Sequence, residues 1–159
     1  MRKFFSLVFV SALLYATPAT ANQSSSNIMV EMFNWWNEAF KIEGSFTPEA
    51  FGKHFTDDAV MIIDGSVRAT GLKELSRNFN RIQGSVESVI IKMPPIESFR
   101  QGDRIFTYHK ELVHHQGQDS TGYVMGYVVV RDGKISKINF VNMNEDAARE
   151  LSLRERAEK

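Results

Sequence analysis

Residues 28–42 read IMVEMFNWWNEAFKI, with Met29, Met32, Phe33, Trp36 and Phe40 recurring at three- and four-residue intervals. That spacing predicts an amphipathic helix, capped by Ser26 or Asn27 and ended by Glu43-Gly44-Ser45. Thr47-Pro48-Glu49 opens a second, short helix running to about Phe55, with Thr47 as N-cap and Pro48 in the first turn. Residues 59–63 are predicted as a short strand. After Thr70-Gly71, the residues Leu72, Leu75, Phe79 and Ile82 share one face of a third helix, which Gly84 closes.

Beyond Gly84 the hydrophobic period changes from helical to alternating. Residues 86–92 form a predicted strand that stops at Pro94-Pro95, where a central ladder cannot continue, and 96–100 resume it. Three longer strands follow at 105–115, 123–130 and 135–143. They are separated by QGQD and by RDGK, whose Asp-Gly pair marks a tight hairpin. This order predicts an α+β fold in which N-terminal helices pack on a strongly curved antiparallel sheet. The result is a cone-shaped α+β barrel that leaves a pocket at its mouth.

The ends of the chain read differently. Residues 1–21, MRKFFSLVFVSALLYATPATA, begin with Arg2 and Lys3, continue with an apolar run broken by Pro18, and close on small residues. This is the pattern of a secretory signal peptide, and the expected address is the periplasm, across the inner membrane. The run falls short of the ~20 apolar residues of a membrane span, so no stable anchor is expected after cleavage. Residues 22–27 form a polar leader, 28–144 the domain, and 145–159 a charged tail.

Composition narrows the chemistry. Lys+Arg and Asp+Glu both number 19, so without Arg2 and Lys3 the balance is 17 against 19, a net charge of −2. That field is too weak to gather nucleic acid or anionic lipid. There is no cysteine, which removes thiolate nucleophiles and Cys-based metal sites. A 43% hydrophobic content with 12 Phe is enough for a core without disulfides.

Strand parity assigns the candidate pocket residues. On the strand from Ile105 the more apolar parity is Phe106, Tyr108, Lys110 and Leu112, and it is expected to face the helices. On the next strand Val124, Gly126 and Val128 face in, and on the last Ile138, Phe140 and Asn142. With Trp36, Phe55, Met61, Ile63 and Phe79 these line an apolar cavity, in which Lys110 would bind an anion or pair with a carboxylate; the alternative, if the parity slips at a bulge, is a surface lysine paired across strands. Tyr123, Met125, Tyr127 and Val129 fall on the outer face, an apolar stripe that predicts a homodimer. The histidines are expected as solvated side chains, with His54 at the pocket rim. His109 and His115 lie about 20 Å apart along a strand, too far for one metal ion. No metal site and no cofactor is expected. Asp64 precedes Gly65 and is expected to be a turn residue rather than a catalytic base.

The element order, with FTDDAV entering the first strand and GLKEL opening the third helix, resembles the nuclear-transport-factor-2-like superfamily over about residues 28–144. It is most similar to the ketosteroid-isomerase and SnoaL-like polyketide-cyclase branches. The resemblance implies a cone fold, a pocket at its mouth and frequent dimerisation through the outer face of the sheet. It also implies a position for each group of the isomerase chemistry, and none holds the required residue. The general-base position holds Ile63, the tyrosine donor falls near Trp36, and the protonated-acid donor falls at about Gly126. Steroid isomerisation by that mechanism is therefore not expected. The expected function is binding of a small, largely apolar ligand. The alternatives are an acid–base enzyme using Tyr108 and Lys110, with His54 or Asp64, and a protein-interaction module with a filled cone.

Overall fold

The structure, a computed structural model, describes residues 28–144. The expectations for the signal peptide, leader, first helix cap and charged tail lie outside the described residues.

Helix α1 (Ile28–Ala39) buries Met29, Met32, Phe33 and Trp36 on one face. It stops short of Ile42 because the chain turns there. The Gln83 side-chain amide donates to the carbonyls of Phe40 (2.9 Å) and Ile42 (3.0 Å), which have no helical partner at that end. Helix α2 (Pro48–Phe51) starts as the sequence predicts, with the Thr47 hydroxyl accepting from the Ala50 N–H at 3.2 Å. It ends earlier than predicted, because strand β1 (Phe55–Ile63) already begins at Phe55.

Strand β2 (Ser66–Thr70) has no counterpart in the sequence reading. Its five residues carry only Val67 and Ala69 as apolar groups, too few for an alternating signal. What makes it a strand is the turn before it. Asp64 and Gly65, at φ 53° and 74°, form the two-residue connection that pairs Ile63 with Ser66. Helix α3 (Gly71–Gln83) follows directly, and then strands β3 (Ser88–Ile91), β4 (Glu97–Gln101), β5 (Arg104–His115), β6 (Gln118–Arg131) and β7 (Lys134–Asn144).

The sheet runs β2-β1-β7-β6-β5-β3, with β4 also on β5. The α+β class and the curved-sheet architecture are as predicted, but the sheet is mixed: β1 lies parallel to β7, and the edges stay open. The Pro94-Pro95 interruption divides one edge between two short strands. β3 pairs the far half of β5 and β4 the near half.

The helices sit in the concavity. Asn37 locks α1 to the sheet edge, donating to the Ile91 carbonyl and accepting from its N–H, both at 2.8 Å. Beneath them Trp36, Phe46, Phe51 and Phe79 pack ring to ring, with the Trp36 and Phe79 centroids 4.3 Å apart. Each fully buried ring contributes about 1.5–3 kcal/mol. Ser76 and Asn80 of α3 donate to the Phe46 carbonyl, anchoring the α1–α2 connection over this cluster.

Gly126 is a site of close approach. A Cβ there would stand 2.1 Å from the Asn139 carbonyl oxygen and 2.9 Å from the Phe140 Cα, both backbone atoms. Gly126→Ala is therefore expected to destabilise the fold by about 3 kcal/mol, measured by thermal or denaturant unfolding. A variant as stable as wild type would mean that β6 and β7 can separate at this point without loss.

Candidate functional site

A cavity of about 430 Å³ opens between α1, α3 and the concave face of the sheet. Its walls are mostly apolar. Of the residues predicted to line it, Trp36, Met61, Ile63, Phe79, Val124, Ile138, Phe140 and Asn142 do so, whereas Phe55 is buried against Phe51 outside the lining. Gly126 is on the concave side but does not reach the cavity, since Phe140 packs against its Cα.

Tyr108 and Lys110 are on the opposite face of the sheet, contrary to the parity assignment. Tyr108 packs against Tyr123 with centroids 5.9 Å apart, and the Lys110 ammonium stands 5.9 Å from the same ring. Their strand partners are Met125 and Tyr123, both on the outer face. The inward residues of β5 are Ile105, Thr107 and His109, all buried, followed by Glu111 and Val113 in the cavity wall. Counting apolar residues misleads on this strand because the convex face is itself aromatic, with Phe99 stacked on Phe106 (4.8 Å) and Phe106 near Tyr127 (5.5 Å).

A usable signal lay in the turn. Gln116 and Gly117, at φ 52° and 71°, are the whole connection, so His115 pairs with Gln118. A two-residue turn then sets His109 opposite Val124, which the sequence already placed inward.

His109 is the largest departure from expectation. Predicted as solvated, it is fully buried, its ring 4.6 Å from Phe33 and 5.6 Å from Phe140. Its Nδ1 lies 3.2 Å from the Thr107 hydroxyl, and its Nε2 lies 3.6 Å from Glu111 Oε1. At that separation Nε2 has no hydrogen-bond partner among the described residues. The arrangement fits the tautomer in which Nδ1 accepts from Thr107 and Nε2–H points at the Glu111 carboxylate. Glu111 is partly open to the cavity, with 27% of its side chain exposed. Trp36 adds a second unsatisfied group, a buried indole N–H without an acceptor among the described residues.

His54 is not at the rim. It packs on Trp35 with centroids 4.9 Å apart, away from the cavity lining. Burial, the largest effect, lowers its pKa below 6.5 against the opposing charge of Glu31.

Asp64 is the turn residue that its sequence predicts, and it has a further task. Its carboxylate accepts from the Asn142 backbone N–H (2.8 Å) and from the Asn142 side-chain amide (3.0 Å). These bonds, the backbone one first, hold its pKa below 3.8. The β1–β2 turn is thereby tied to the end of β7 at the cavity mouth. Arg68 is nearby for a reason of backbone geometry. Met61 pairs with Ala69 and Ile62 with Val67, so Arg68 is the unpaired extra residue of a β-bulge. It lines the mouth together with Arg81 and Asn78 of α3. Among the described residues no group of three His, Cys, Asp or Glu side chains is placed to hold a metal ion.

No family model and no curated relative matches the chain. Solved structures do. An LEH-like epoxide hydrolase from M. tuberculosis is 18% identical, with TM-score 0.59 over 79% of this chain and 86% of that one. IdmH, a putative polyketide cyclase from Streptomyces antibioticus, is 13% identical, with TM-score 0.58 over 81% and 99%. An NTF2-like protein of unknown function from Burkholderia pseudomallei is 16% identical, with TM-score 0.57 over 80% and 97%. Helices seated in a strongly bent, open sheet, together with these likenesses, define the fold as that of the nuclear-transport-factor-2-like proteins.

Because a lowered carboxylate pKa stabilises the fold above the ordinary value and loses that effect in acid, Asp64→Asn carries a pH signature. The variant is expected to melt below wild type at neutral pH, with the gap closing as the pH falls below 3.8. A gap of constant size into strong acid would show that the charge of Asp64 is not what Asn142 requires.

Proposed function

We propose that the cone takes up a small, largely apolar molecule and that Glu111 transfers a proton to or from it, with His109 as the positioning residue behind the carboxylate. The observation that carries this reading is the pair itself: two titratable side chains 3.6 Å apart in the wall of a mostly apolar cavity, away from the polar groups at its mouth. His109 is fully covered, so Glu111 is the member that a ligand can touch. Thr107 holds the His109 ring through Nδ1, and His109 turns its Nε2–H toward the Glu111 carboxylate and so orients it, while the proton that Glu111 takes from the ligand is returned to the ligand or to water. The unpartnered Trp36 N–H offers a hydrogen bond to a ligand oxygen. The names of the fold neighbours, an epoxide hydrolase and a putative polyketide cyclase, attach small-molecule chemistry to this architecture.

The test begins with mass spectrometry of ligand retained by the purified protein, followed by assay of that ligand for turnover. Glu111→Gln is expected to reduce turnover by about 10²–10⁴-fold while ligand is still bound. His109→Asn is expected to shift the pH profile as well as the rate. Turnover undiminished in Glu111→Gln would remove the catalytic assignment and leave a binding protein.

We also propose that the protein dimerises through the convex face. Phe99, Met125 and Val141 are exposed there beside the half-buried Phe106, Tyr108 and Tyr127, a continuous apolar surface on strands β4 to β7. Sedimentation at micromolar concentration is expected to show a dimer that Met125→Glu dissociates. A wild-type monomer would count against it.

A further inference from the structure

We propose that the mouth of the cone is an anion site, so that the ligand is an amphipathic organic monoanion with its apolar body inside and a carboxylate-class head group against Arg68 and Arg81. This rests on the reading of the cone as a small-molecule site. Both arginines line the cavity, and they stand on different elements, one on β2 and one in the last turn of α3. Positive charge therefore flanks the opening. Among the described residues neither guanidinium makes an ion pair. Arg81 donates only to the neutral Asn78 side chain at 3.0 Å, which leaves most of its donors free.

Two carboxylates share the lining, and each has an assignment of its own. Asp64 is held by Asn142, and Glu111 stands beside His109. The charge of Arg68 acts on Asp64 without closing an ion pair. The bulge strengthens the inference. A regular β1–β2 ladder would leave no unpaired residue here, and the residue that the bulge adds is the arginine at the mouth. Two guanidinium groups at the opening of an apolar cavity attract organic anions over their neutral analogues, the more so at low salt.

A matched pair of fluorescent probes isolates the head group. 8-Anilinonaphthalene-1-sulfonate and N-phenyl-1-naphthylamine share one aromatic body and differ in the anionic group, with the sulfonate standing in for a carboxylate. Titrated into the full chain, the sulfonate is expected to bind about tenfold more tightly, with the preference shrinking as salt is added. Arg68→Gln and Arg81→Gln are each expected to weaken its binding severalfold, and the double variant to abolish the preference. The affinity for the neutral amine should stay within about twofold, and Arg68→Lys should retain part of the preference. Both arginines are exposed, and melting curves confirm that the variants fold. Equal affinity for the two probes, or a preference that survives the double variant, overturns the anion site and leaves the cavity reading standing. Failure of both probes to bind overturns the cavity reading and the anion site with it.

Discussion

The pairing register of β5 with β6 decides which side chains line the cone's cavity. Side chains alternate across a sheet, so shifting the pair by one residue would exchange every concave position for a convex one. The register is held by the Gln116–Gly117 turn, where both residues take positive φ and no third residue intervenes. From that turn His109 comes to lie opposite Val124 and Ile105 opposite Val128, so that His109 and Glu111 enter the cavity while Tyr108 and Lys110 leave it. Gly126 secures the neighbouring pair, because any side chain there would collide with the backbone of β7. Had the chain been built one residue longer at the turn, the same amino acids would have placed an ammonium group and a phenol in the cone.

The helices convert this register into a site. α1 and α3 cover the concave face but do not fill it, and the aromatic cluster closes only the end next to α2. At the open end the polar groups are distributed by backbone irregularities rather than by helix positions. The Asp64–Gly65 turn brings a carboxylate to Asn142, and the bulge brings Arg68 to the rim. The buried histidine belongs to the other end of the polarity scale. It is satisfied on one side by Thr107 and left short of a partner on the side facing Glu111. An unsatisfied buried nitrogen is costly, which sets this histidine apart from the rest of the core.

Much of the architecture could be read from the amino acids alone. Helical spacing in residues 28–42 and 72–82, the Thr47-Pro48 start, the Asp132-Gly133 hairpin, the Asp64-Gly65 turn and the Pro94-Pro95 break each depend on near neighbours in the chain, and each appears in the structure at or close to its predicted place. The apolar part of the cavity was legible for the same reason. Trp36, Met61, Ile63, Phe79 and Phe140 sit on strongly periodic elements whose buried face is unambiguous. What the chain by itself could not decide was anything resting on a comparison between strands. β2 exists because a turn folds it back on β1, and β1 is parallel to β7 through contacts some 80 residues apart in sequence. The face of β5 was undecidable by hydrophobicity, since an aromatic convex surface competes with the core for the same residue types. His109 therefore read as a surface histidine until pairing put it inside. Local composition determines which elements form, and only tertiary packing selects which of a strand's two faces is removed from water.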